Sequence, residues 1–389
     1  MERKIDLNHV LFLGTYLICM ADALLIGLST FGQLYHASAI SLIMRAAAAG
    51  IIFLKLLVDS DYTVSSLLYI AISGVVLLIT YLRSGYNHVF YLLLFVLGIR
   101  NIDIRRVIRA DMYMRIVLML LILFCGMTGI IDNYITYRAG SSELRYSMGF
   151  NHPNTLASLV LILILEDAWL RRRKFSAIYM LLIWVIGGVV LIITLNRTAV
   201  LLIFLFPLLL FCSERDAANP VTLWKNRLVQ SAFILAAVVS IMAMFLSERW
   251  GLFNLIDRLM SQRYINAANV YRKYGIPFLG QKVTLVSVKD ARELGVSMAI
   301  LDVSYLRMLI QAGPVVLMFM AAMYMRAAWR AIQLNDRITI LILCIFVLFG
   351  LSESGANNVY MNFSLLIMAK AMYRADEYDM EYELLTRTV

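Results

Sequence analysis

Long apolar runs separated by short polar turns recur along the whole chain. By hydropathy they predict helical spans near residues 9–28, 37–57, 64–82, 86–99, 114–131, 153–170, 176–194, 198–213, 228–247, 304–325, 338–351 and 359–373. Crossing a hydrocarbon core about 30 Å thick takes roughly 20 mostly apolar residues, so these runs are read as membrane spans. The fourth is short, as a tilted or partly interfacial helix would be. No repeat, linker or low-complexity tract divides them, and residues 1–389 are read as one domain.

Composition sharpens this pattern. Of the 389 residues, 62% are hydrophobic and 15% charged, where a soluble domain carries about a quarter charged. The reading is an all-α polytopic integral membrane protein with about 12 transmembrane helices. The net charge of +10 does not point to nucleic acid, because the basic residues gather at the ends of apolar runs. The segments MERK, IRNIDIRRVIR, RRRK, SERDAANPVTLWKNR and MRAAWRAIQLNDR fall on one side if the count holds. The positive-inside rule makes that side cytoplasmic, with both termini inside. MERKIDLNHV leads into an uncleaved first helix, since no small-residue cleavage site follows. Cys19, Cys125, Cys212 and Cys344 lie in or beside apolar runs, without metal-ligand spacing.

Three polar regions then fall outside: Arg145 to Asn154, the Asn196-Arg197-Thr198 turn, and a long loop at about 248–301. The loop carries Arg249, Arg258, Arg263, Arg272, Lys273, Lys282, Lys289 and Arg292, against the simple charge rule. Long loops translocate regardless of charge, so the topology stands. The excess implies contact with anionic headgroups or reception of an anionic substrate.

Charges inside spans are expensive, at ~2.5–3.5 kcal/mol each on insertion scales. Asp22 and Arg45 lie at depths differing by only ~4–5 Å, and are expected to pair and lock the first two helices together. Glu166 and Asp167, beside Arg171 to Lys174, are expected at a solvated interface.

The outer face collects candidate chemistry. Arg145 precedes Gly149-Phe150-Asn151-His152-Pro153-Asn154, where Pro153 suits a first helical position and Asn151 or Asn154 can cap it. A positive helix end beside Arg145 suits an anion, while a plain cap with a snorkelling arginine is the alternative. Arg197 occupies a tight turn, TLNRTAVL, as a fork-shaped donor suited to phosphate or as a topological marker. LDVSYLRMLIQAGP brings Asp302, Ser304 and Tyr305, with Asp302 either a cap or a general base. LSESGANNVYMN adds Glu353, Asn357, Asn358 and Asn362. No zinc spacing, P-loop or dinucleotide fingerprint is present, and no metal or cofactor is expected.

GFNHPNTLA, then TLNRTA, a long basic outer loop and DVSYLRMLIQAG, in this order among the spans, resemble the Wzy-type polysaccharide polymerases of the O-antigen ligase and polymerase superfamily. The resemblance covers most of the chain as topology but rests on four short patches as motif. It implies a GT-C-like membrane glycosyltransferase of the bacterial cytoplasmic membrane, with an extracytoplasmic site and an undecaprenyl-diphosphate-linked oligosaccharide as donor. By that resemblance Arg145 and Arg197, with Arg258 or Arg263, hold the departing diphosphate. Asp302 takes the acceptor's proton, with His152 and Glu353 as substitutes. Asn151, Asn154, Thr198, Tyr305 and Asn358 contact substrate, membrane lipid surrounds the chain, and flippase and chain-length regulator proteins are possible partners. Two departures stand out: Asn196 precedes the turn arginine where serine is usual, and Asp302-Val303 stands where ligases carry His-Asn. The second favours a polymerase over a ligase. A flippase of lipid-linked oligosaccharides is the rival of another class, and predicts ionisable groups through the bilayer midplane.

Overall fold

The computed structural model of the chain describes residues 6–59, 62–137, 143–172, 175–215, 223–286, 291 and 295–373. Arg173 and Lys174, the loop after Arg215, Lys289, Arg292 and the acidic tail lie outside them. The described chain is all-α apart from a short hairpin and isolated bridges. Its helices are α1 (Leu7–Ala21), α2 (Ala37–Val58), α3 (Val64–Ser84), α4 (Asn87–Gly98) and α5 (Ile104–Thr128). After strands β1 (Ile135–Tyr137) and β2 (Leu144–Tyr146) come α6 (Pro153–Arg171), α7 (Ala177–Thr194), α8 (Arg197–Arg215) and α9 (Leu223–Leu246). Then follow α10 (Gly251–Leu259), α11 (Arg263–Tyr274), α12 (Ser304–Arg307), α13 (Pro314–Gln333), α14 (Arg337–Gly350) and α15 (Ser364–Ala371).

Among the described residues, seven helices are long and apolar enough to cross a membrane: α1 with its continuation to Gly27, α2, α3, α6, α7, Lys225–Leu246 within α9, and α13. Shorter apolar helices are α4, Arg197–Ser213 within α8, and α14. This is the make-up of a polytopic membrane protein. Rows such as Ile43, Phe53 and Leu57 on α2, and Ile72, Val75 and Leu82 on α3, stay exposed, as lipid-facing positions do. Local signals set the helix ends. Asp6, Asp103, Ser176 and Asp336 cap α1, α5, α7 and α14, and Thr63 with Ser66 forms a capping box on α3.

Two runs differ from their expected spans. Residues 304–325 do not form one helix. After α12 the chain widens into a π turn over Met308–Ala312, breaks at Gly313 (φ +95°) and restarts at Pro314. Proline has no amide to continue the ladder, so the preceding carbonyls need other donors. They find them in the segment after α11: Gly280 N donates to Ala312 O at 2.9 Å, Gln281 N to Gln311 O at 2.9 Å, and Gln281 Nε2 to Ile310 O at 2.8 Å. The last run also shortens. The 8 residues of α15 cover about 12 Å, too little to cross, and are buried throughout.

The helix ends sort into two sets. At one end Lys55 and Arg100 meet Asp59 (2.8 and 3.5 Å), Arg172 meets Asp336 (2.8 Å), and Lys370 Nζ donates to Ile102 O (2.7 Å). The start of α1 is at this end, with His9 in electrostatic reach of Arg106 and Lys370. Tyr373 is there too, its carbonyl accepting from Arg330. The polar regions around Arg145, Asn196 and Glu353 gather at the other end.

Between the ends, two sets of charges inside the bundle are paired. Arg45 Nε lies 3.7 Å from Asp22, as expected, and Tyr91 OH and Asn87 complete the contact. Glu166, however, is not at a solvated interface. It is fully buried 3.2 Å from Arg115, which also grips Asp111 (2.9 Å) and donates to Tyr360 O (2.7 Å). Neighbouring residues of a helix point about 100° apart, so Glu166 turns to α5 while Asp167 turns to Arg171 and Tyr179 at the edge.

A β-carbon at Gly313 would sit 2.5 Å from Phe278 O, at a φ that L residues rarely adopt. Gly313→Ala is therefore expected to cost about 2 kcal/mol or more in thermal unfolding of the purified protein. Gly14→Ala, where nothing lies within 4 Å, is the neutral control.

Candidate functional site

The hairpin delivers Arg145. Thr136 pairs with Arg145 across β1 and β2, and the chain then dives under α5. Gly149 makes that dive possible: its φ is +86°, and a β-carbon there would lie 2.7 Å from Ile122 O. Phe150 is fully buried, and Asn151 is tethered to the end of the first span, N to Leu28 O (2.9 Å) and Nδ2 to Gly27 O (3.0 Å). The cap of α6 is neither asparagine but His152, whose Nδ1 accepts from Asn154 N at 3.1 Å, with Pro153 at the first helical position. Asn154 is thereby left to turn inward.

Separate elements then meet at one point. Arg145 Nε donates to Thr194 O at the end of α7 (2.7 Å), and its Nη2 donates to Asn154 Oδ1. Asn154 Nδ2 donates to Glu353 Oε1 (3.3 Å), which also accepts from Arg263 Nη2 (3.1 Å). Ser304 Oγ holds the Glu353 carbonyl (2.6 Å), and Asn357 Nδ2 holds the Ser304 carbonyl (2.6 Å). Arg263 opens α11, whose first amides are capped by buried Asp257 through Tyr264 N (2.8 Å) and Ile265 N (3.2 Å). Asn196 joins from the α7–α8 turn: its Oδ1 accepts from Thr198 N (3.0 Å) and Ala199 N (3.2 Å), and its Nδ2 reaches Asn154 O (3.5 Å). The asparagine that stands for serine in that turn is thus the cap of α8. It also sets Arg197 at the same end as Arg145, three residues beyond Thr194.

The two carboxylates differ. Glu353 is committed to Arg263 and Asn154. Burial, with Asp302 adding, holds its carboxyl above the usual range against the pull of Arg263 and Arg145. Burial opposes the charge on Arg263, but Glu353 and Asp302 outweigh it and raise its pKa. Asp302 lies in electrostatic reach of His152, Arg263 and Glu353, yet its carboxylate makes no hydrogen bond or ion pair among the described residues. It is the unspent acceptor of the site. His152 keeps an open edge to solvent although protein surrounds it on its other sides. That surrounding mass, then Arg145, pushes its pKa down to about 4. A neutral imidazole whose Nδ1 accepts an amide carries its proton on Nε2, so His152 serves as a donor rather than a base.

Other expected residues stand apart. Arg197 is exposed, and its side chain makes no hydrogen bond or ion pair among the described residues; Thr198 contributes its amide to the Asn196 cap. Arg258 is exposed on α10 and does not join the network. Tyr305 is a core residue, 2% exposed, with its hydroxyl given to Val347 O (2.9 Å) and its ring 5.1 Å from Phe233. A small cavity beside it, between Tyr324, Phe346 and Met368, carries no charged group. Asn358 is buried with its Oδ1 unpartnered. Among the described residues no three His, Cys, Asp or Glu side chains gather as metal ligands. Ser304, Asn196 and Asn357, noted in the polar stretches but given no role there, are joined to the site. Their only sequence signal is their position at helix junctions.

If Arg145 lies beside His152 as described, the imidazole titrates near pH 4 in histidine NMR of the purified protein. Arg145→Gln, by removing a neighbouring cation, moves that midpoint upward, towards 6.5. A wild-type midpoint near 6.5 contradicts the arrangement.

No family model, curated protein or solved structure matches the chain.

Proposed function

We propose that the chain is a membrane glycosyltransferase that polymerises undecaprenyl-diphosphate-linked oligosaccharide units at the outer face of a bacterial cytoplasmic membrane. In this reading about twelve segments fill the GT-C-like bundle, the basic end with both termini is cytoplasmic, and the Arg145–Glu353 end is outside. The observation that carries it is the meeting of Arg145 and Arg263 through Asn154 and Glu353, with Arg197 at the same end and, in electrostatic reach of Arg263, a carboxylate, Asp302, that makes no hydrogen bond or ion pair among the described residues. Such a set can do both halves of a glycosyl transfer. Asp302 accepts the proton of an acceptor hydroxyl as its oxygen bonds to the anomeric carbon. The bond from that carbon to the carrier diphosphate breaks, and the arginines receive the negative charge that appears on the leaving oxygen. The configuration inverts, and the guanidinium charges stand in for a metal. His152 Nε2–H and Asn154 would donate to sugar or phosphate oxygens, and Glu353 would hold Arg263 and Asn154 in place.

The basic excess of the outer segment then divides between two tasks. Arg263 faces the site. Arg258 flanks the exposed apolar face of α10, formed by Leu252, Leu255, Ile256 and Leu259, a pattern suited to a helix lying in the headgroup layer. The buried Asp111–Arg115–Glu166 cluster is the feature that a lipid-linked-oligosaccharide flippase would put to use. All its members are fully enclosed and joined to one another, which favours a fixed joint over a transport path.

With lipid-linked repeat units and purified protein, wild type is expected to give a ladder of polymer without a second acceptor. Arg145→Ala and Asp302→Ala should each lower the rate by about 10²–10³, the cost of losing one charge-stabilising group. Normal ladders from both variants refute the site; transfer only when another acceptor is supplied indicates a ligase.

A further inference from the structure

One charge near the site is left without a task by the polymerase reading. The guanidinium groups of Arg45, Arg100, Arg115, Arg172 and Arg263 each face a carboxylate: Asp22 at 3.7 Å, Asp59 at 3.5 Å, Asp111 at 2.9 Å, Asp336 at 2.8 Å and Glu353 at 3.1 Å. Arg307 does not. It is half-buried, its Nε donates to Gln311 Oε1 at 3.0 Å, and its Cζ lies 5.1 Å above the Tyr86 ring. Among the described residues its Nη groups have no partner. A charge withdrawn from water without a counterion is costly, and a neutral amide with an aromatic face offsets only part of that cost.

Its position gives the missing partner a place. Arg307 follows Ser304 by one helical turn and shares its face, about 4.5 Å further along the axis. Ser304 holds the backbone of Glu353, so Arg307 sits one turn below the upper network. Tyr86 packs edge-on against His88 (4.5 Å), and His88 Nδ1 is 2.7 Å from Tyr360 OH. Tyr86, His88 and Tyr360 lie in electrostatic reach of Arg307, and none of the three is a carboxylate. On the other side of the α4 start, Arg45 Nη1 binds Asn87 Oδ1 at 2.5 Å, and its charge is already met by Asp22 at 3.7 Å.

We infer that Arg307 is an anion-binding point, distinct from the Arg145–Arg263 network, that receives a negatively charged oxygen group of the ligand one turn deeper in the bundle. The group is a phosphate oxygen of a polyprenyl diphosphate or a carboxylate on an acidic sugar, both of which match the open fork of a guanidinium. The choice between these two sources rests on the lipid-linked glycan reading; the anion site itself does not.

Binding of inorganic pyrophosphate, undecaprenyl diphosphate and methyl glucuronide to the full-length protein in detergent tests this, with Arg307→Gln and Arg307→Lys beside wild type. At least one probe should bind about tenfold or more weaker to Arg307→Gln, the scale of losing charge-assisted hydrogen bonds. Arg307→Lys, which keeps the charge and loses the fork, should fall between. Loss confined to the two diphosphates assigns the carrier headgroup, and loss confined to the glucuronide assigns the sugar acid. Failure of wild type to bind all three, or affinities for all three unchanged in Arg307→Lys, overturns the proposal. The second result decides the matter even if Arg307→Gln does not fold. Because binding is read without polymer synthesis, absent ladders with Arg307-dependent binding would remove the polymerase reading and leave the anion site standing.

Discussion

Arg115 is the joint on which the architecture turns. Its guanidinium lies in the middle of an apolar bundle, where an unpaired charge would be prohibitive, so it draws its partners to itself. Asp111 comes from its own helix, Glu166 from α6, and the Tyr360 carbonyl from the short turns after α14; Tyr16 of α1 closes the set through Asp111. The elements so joined carry the candidate site at one of their ends. His152 and Asn154 begin the same helix that ends near Glu166, and Glu353 heads the same turn segment whose Tyr360 the arginine holds. A buried ionic cluster adds little net stability compared with a well-packed apolar core. What it supplies here is register: α5, α6 and the returning segment fit together in one alignment only.

The site repeats this economy at the surface of the bundle. Glu353 is shared by Arg263 and Asn154, and its backbone by Ser304, so the junctions before α6, α11, α12 and α15 are fixed relative to one another. Burial first, and then the nearby Arg145, keeps His152 neutral far below the ordinary histidine range. Asp302 is left as the acceptor with capacity to spare. The division into a holding carboxylate and a free one follows from hydrogen bonding, since both lie among the same cations.

The sequence made the class of fold plain because apolar runs of spanning length are a one-dimensional signal. The pairing of Asp22 with Arg45 could also be read, since depth is countable along a helix. Less legible was whatever depends on azimuth or on a distant segment. Glu166 and Asp167 are adjacent in sequence and similar in chemistry, and only the direction each faces separates a buried ion pair from a surface one. The break at Gly313-Pro314 is written in the sequence as a dipeptide, but its tolerance depends on amides from Gly280 and Gln281, more than thirty residues earlier. Arg145, Asn154, Asp302 and Glu353 stood out in the sequence as polar residues beside apolar runs, and Arg263 only as one cation of a basic loop, an alternative to Arg258. The same rule named Tyr305 and Asn358, whose polar atoms lie in the core, and it passed over Arg307 because an arginine one turn inside a helix looks like an ordinary snorkelling residue.

The stretch from Gly275 to Gln281 has a consequence for how anything reaches the site. Gly280 is seated so closely on Thr80 that a methyl group would not fit between them, and the amides beside it complete a neighbouring helix. Lifting this stretch would strand the carbonyls of Ile310, Gln311 and Ala312 in an apolar setting. It is a keystone, set in place when the chain folds and fixed from then on, so any ligand of the site must approach on the flank away from it.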